Sequence, residues 1–78
     1  MSADRRYRVV HECVPGTEVS YSHDDYDEAL RVYYDWAEAA RIGAVTRMFD
    51  GGNEIGCASR RGGWSRPFSV YWGRVRAP

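Results

Sequence analysis

The chain is 78 residues long, has 44% hydrophobic residues, and sets eleven basic against eleven acidic side chains for a formal net charge of zero at pH 7. A domain of this size buries only about 60% of the surface its unfolded chain exposes, which leaves room for one core and no second domain. Neutrality argues against an obligate nucleic-acid binder or a polybasic membrane anchor, no apolar run approaches the ~18 residues of a membrane span, and the charged start MSADRRYR is unlike a secretion signal.

Residues 7–14, YRVVHECV, alternate Tyr7, Val9, His11 and Cys13 on one side with Arg8, Val10, Glu12 and Val14 on the other, the pattern of a central strand. Pro15 and Gly16 then suit the two middle positions of a type II turn, so the chain should fold straight back. A second strand over residues 17–21 is expected to point Val19 and Tyr21 to the core.

Residues 25–42, DYDEALRVYYDWAEAARI, form the segment around which the rest is organised. At 100° per residue Tyr26, Leu30, Tyr33, Ala37 and Ala40 fall within a stripe about 80° wide, opposite Arg31, Asp35, Glu38 and Ala39, so the spacing predicts an amphipathic helix with one buried face. Ala29, Tyr34, Trp36 and the stem of Arg41 widen the apolar arc until it calls for a sheet. Ser22, Asp24 or Asp25 can cap its start, Asp25 and Glu28 have capping-box spacing, and Arg41 with Gly43 should close the last turn.

Residues 44–49 are a third strand, with Val45 and Phe49 on one side and Ala44, Thr46 and Met48 on the other. Asp50-Gly51-Gly52-Asn53 is a hairpin turn, and residues 54–59 return as a fourth strand carrying Ile55 and Cys57 inward, with Gly56 weakening it or marking a bulge. Residues 60–67, RRGGWSRP, are expected to be an exposed loop, and residues 68–75 a fifth strand with Phe68, Val70 and Trp72 facing one way and Ser69, Tyr71 and Val75 the other. Residues 1–5 and 76–78 are expected to fray. The resulting order is ββαβββ, a single α+β domain with one amphipathic helix on one face of a mostly antiparallel sheet.

Three Trp, six Tyr and two Phe supply the bulk of the core, since each buries roughly 150–250 Å². All the cations are Arg, a composition similar to that of small Arg-rich proteins of high-GC bacteria and their phages, and this similarity carries no site. Residues 1–40 hold four Arg and nine acids, a balance of −5, while residues 41–78 hold seven Arg and two acids, a balance of +5. The molecule is a charge dipole if these halves do not interleave in the sheet. A cytoplasmic location is expected, and Cys13 and Cys57 fit it as reduced core thiols; a disulfide would need Cα atoms within about 7 Å.

A zinc site would require His11, Cys13, His23 and Cys57 to converge, and no CxxC or HxxxH spacing suggests it. Cys13 or Cys57, His11 or His23, and Asp24 are the pieces of a nucleophile, yet they come without an elbow, a phosphate loop or paired carboxylates. No enzyme activity, cofactor or metal is therefore expected. Arg interleaved with aromatics at Arg60, Arg61, Trp64, Arg66, Tyr71 and Arg74 suits a protein partner, where Trp, Tyr and Arg dominate hot spots. It also suits nucleic acid, where aromatics stack bases and Arg contacts phosphate. Zero net charge favours protein. Asp27, Asp35 and Glu38 form a secondary acidic patch on the outer helix face, and the last strand offers a route to a homodimer. The chain reads as a small non-enzymatic protein-binding module, a phage- or host-encoded regulator of a larger protein, with nucleic-acid binding and self-association as alternatives.

Overall fold

The computed structural model describes residues 5–14, 16–61 and 69–76. Its elements follow as β1 (Tyr7–Val14), β2 (Thr17–His23), α1 (Tyr26–Ala39), β3 (Val45–Asp50), β4 (Asn53–Arg61) and β5 (Ser69–Trp72). The strands make one sheet in the order β2-β1-β3-β4-β5, each neighbouring pair antiparallel, and α1 packs against one face. This is the expected α+β architecture. Among the described residues no helix is long and apolar enough to cross a membrane.

Alternation along β1 turns Tyr7, Val9 and His11 toward the helix, and the register sets Val9 opposite Met48 and His11 opposite Thr46. Onto them the helix lowers Ala29, Tyr33 and Ala37. Two alanines one turn either side of Tyr33 let the helix backbone approach, and the Tyr33 ring fills the centre beside Val9 and Met48, all three at 0% exposure. Each such side chain contributes roughly 1.5–3 kcal/mol when taken from water. Arg31, Asp35, Glu38 and Ala39 lie exposed on the far side, as the periodicity requires.

Asp25 caps the helix, its carboxylate accepting from the Asp27 N–H at 3.3 Å. The expected capping box is not closed: the Asp25 N–H donates to His23 Nδ1 at 2.9 Å, and Glu28 pairs with Arg31 at 2.8 Å instead. The helix stops at Ala39, short of Arg41 and Gly43. Tertiary hydrogen bonds override the local signal here, because the Gly43 N–H donates to Arg60 O at 2.9 Å and the Arg60 N–H to Ala44 O at 3.0 Å. Gly43, at φ +91°, makes the turn that brings these groups together.

Further expectations are corrected by the sheet. Val19 is 54% exposed on β2, an edge strand of the sheet, while Tyr21 of the same strand meets Trp36 of the helix edge-on at 6.4 Å. The register shifts between Met48 and Phe49, leaving Ile55 as an extra residue in β4. Ile55 and Gly56 then both serve the helix side, and Cys57 swings to the opposite face instead of pointing inward. Neither thiol is a core residue: Cys57 is half-buried and Cys13 exposed, and both are free. Arg60 and Arg61, expected in a loop, belong to β4 and pair with Val70 and Ser69. β5 ends at Trp72, where the Gly73 N–H meets Cys57 O at 2.6 Å. Past that contact Val75 turns back to pack on the core, not outward with Tyr71. Arg76 is tied by its N–H to Ile55 O at 3.0 Å. Pro15 and Phe68 lie outside the described residues.

β1 and β2 come from the acidic part of the chain and β3, β4 and β5 from the basic part. The sheet order keeps β2 and β1 together and β3, β4 and β5 together, so the two parts of the chain do not interleave in the sheet.

Candidate functional site

A five-stranded sheet has two faces, and among the described residues the only helix lies on one of them. Register fixes what the other face presents: Arg8, Val10 and Glu12 from β1, Val45, Arg47 and Phe49 from β3, Cys57, Ser59 and Arg61 from β4, and Tyr71 from β5. Val10 is buried although no helix covers it. Its register partners are Arg47 and Ser20.

The guanidinium groups of Arg8 and Arg61 lie over rings of this face while both residues stay exposed. Arg8 sits over the Phe49 ring at 5.3 Å and Arg61 over the Tyr71 ring at 5.1 Å, geometry in which a cation meets the negative face of a ring. Between these two pairs Arg47 Nε is 3.2 Å from Glu54 Oε1. Arg61 Nε also donates to Ser59 Oγ at 3.3 Å. The result is a diagonal of three planar cations, two of them on aromatic rings, with Tyr71 55% exposed at one corner.

Of the residues singled out in the sequence, the structure brings Arg61 and Tyr71 into contact. Arg60 goes to the other side of β4, half-buried opposite Val70, and Arg74 is exposed beyond the end of β5. Trp64 and Arg66 lie outside the described residues. Asp27, Asp35 and Glu38 are exposed on the helix as expected, and Glu38 reaches a groove of about 500 Å³ that it lines with Tyr34, Trp72, Gly73 and Val75. Arg8, Arg47 and Phe49 were missed. Their alternation was visible in the sequence, but which face the helix would cover was not.

On the helix side, His11 and Cys13 do meet: His11 Nε2 is 2.9 Å from Cys13 Sγ, and His11 Nδ1 is 2.7 Å from Thr46 Oγ1. His23 sits at the far end of β2, opposite Tyr7, and Cys57 lies on the other face. Among the described residues no three of His, Cys, Asp and Glu are grouped as metal ligands would be.

No family model matches this sequence, and neither curated proteins nor solved structures yield a match.

Proposed function

We propose that this chain is a non-enzymatic protein-binding module that regulates a larger protein by docking the uncovered face of its sheet, with β5 as the rim of the contact. The observation that carries this reading is the pairing of Arg61 with Tyr71 and of Arg8 with Phe49 on that face. Arginine and tyrosine head the residue types that dominate binding energy in protein interfaces, and guanidinium groups already laid flat lose less freedom on docking. Nucleic acid is the weaker reading, because affinity for it rests on many phosphate contacts and this chain has no net positive charge.

Affinity capture with wild type and an Arg61→Ala/Tyr71→Ala double variant tests the proposal. Both residues are exposed and the fold is expected to persist by circular dichroism. Partners recovered by wild type and lost by the variant support it, whereas an identical set recovered by both refutes it. A labelled oligonucleotide shifted at low salt would move the reading to nucleic acid. Self-association is a second reading favoured by one observation, the edge position of β5; a strict monomer by light scattering at high concentration removes it.

A further inference from the structure

His11, Cys13 and Thr46 lie on the opposite side of the sheet from the face proposed for docking. Cys13 is the extra residue at the register shift between Glu12 and Val14, and its Sγ stands 2.9 Å from His11 Nε2. Thr46, the register partner of His11 on β3, holds the other ring nitrogen at 2.7 Å and is 1% exposed. Trp36 packs edge-on against the imidazole at 6.1 Å. Two hydrogen bonds and a ring contact therefore fix the imidazole, while the thiol beside it is open to solvent.

A nucleophile, a base within hydrogen-bond reach and a third group orienting the base are the parts an activated thiol needs. With Nδ1–H donating to Thr46 Oγ1, the Nε2 lone pair faces the sulfur and takes the thiol proton as the thiol attacks, leaving an imidazolium whose Nδ1–H stays on Thr46. Next to the imidazole lies an open groove of about 280 Å³ lined by His11, Val19, Trp36 and Ala39, apolar except for the ring nitrogens. It also gives the exposed Val19 a role that packing does not.

The geometry points to Cys13 as a His11-activated thiol that exchanges with a small disulfide bearing an apolar group, the group lying in the Val19–Trp36 groove. The Cys13 thiolate attacks one sulfur of the disulfide, a Cys13–sulfur bond forms as the original sulfur–sulfur bond breaks, and the departing thiolate takes the proton from His11. Cys13 is oxidised to the mixed disulfide and the departing sulfur is reduced. Cys57 lies across the sheet and does not resolve the adduct, so the modification persists until an external thiol reverses it.

The test uses the Cys57→Ser chain, in which Cys13 is the only thiol, with dithiodipyridine as a neutral aromatic disulfide. An ordinary exposed thiol reacts no faster folded than unfolded. Here the folded chain is expected to react about tenfold or more faster than the same chain in urea. His11→Asn should bring the folded rate down to the unfolded one. Thr46→Val should lose most of the acceleration and Thr46→Ser, which restores the hydroxyl, should keep it. The ratio of folded to unfolded rates should be smaller for hydroxyethyl disulfide, which has no apolar group for the groove. A folded rate no greater than the unfolded rate in the Cys57→Ser chain overturns the proposal, and that comparison stands even where a His11 or Thr46 variant fails to fold.

Discussion

Replacing Tyr33 by Phe should stabilise the protein. Tyr33 is 0% exposed, and its hydroxyl has no hydrogen-bond partner among the described residues. A buried polar group left without a partner costs about 1–3 kcal/mol, and the substitution removes it while keeping the ring that stands edge-on to Tyr34 at 5.4 Å and to Trp72 at 6.0 Å. Some of the gain is lost to the small void left by the oxygen, so a net of about 1 kcal/mol is expected. For a domain of this size that raises the thermal midpoint by about 4–8 °C. The same hydroxyl also sets an alkaline limit, since burial pushes the Tyr33 phenol above its ordinary value. Below pH about 10 both folded and unfolded chains keep the proton and the group adds no pH dependence. Above that the unfolded chain releases it and the folded chain does not, so stability falls with rising pH by at most about 1.4 kcal/mol per unit from this group. Urea denaturation of wild type and Tyr33→Phe across neutral and alkaline pH should give curves that diverge in the variant's favour past pH about 10. A variant less stable by about 1 kcal/mol at neutral pH would show that the hydroxyl is bonded, and curves that stay parallel past pH about 10 would show that burial does not hold the phenol proton; either result refutes the reasoning.

Gly73→Ala should destabilise by roughly 1–3 kcal/mol, because the added methyl group collides with the Cys57 carbonyl; Gly52→Ala, where a Cβ meets nothing within 4 Å, is the near-neutral control in the same urea titration. Asp25→Ala should cost about 1 kcal/mol by the same measurement through loss of the cap on the Asp27 N–H, and an unchanged midpoint would mean that the Asp24 and His23 neighbours satisfy the helix start without it.

What could be read from the chain was whatever depends on neighbours in sequence. The β1 alternation, the Asp50-Gly51-Gly52-Asn53 turn and the helix stripe around Tyr33 are local signals, and each is present as expected. The errors arise where a distant partner decides. The helix ends early because β4 holds the backbone of Gly43 and Ala44. Cys57 faces away from the helix because a single extra residue at the bulge inverts the alternation after it, and Val75 faces the core because Gly73 breaks the strand against Cys57. The candidate surface was half legible: Arg61 and Tyr71 come from the stretch rich in Arg and aromatics, whereas Arg8, Arg47 and Phe49 join them only through the order of strands. Thr46, in turn, reaches His11 only through pairing between residues 35 apart.

That one long-range ladder, β1 against β3, is also the seam between two pieces that can each form from nearby chain. The β1–β2 and β3–β4 hairpins close over tight turns, and hairpins of that kind zip in about 1–10 μs. Joining them requires the chain to bring Val9 to Met48 across the whole helix, a search whose entropy is lost before any contact repays it. Refolding should therefore be governed by the meeting of preformed halves, with amide protection along this seam arriving last.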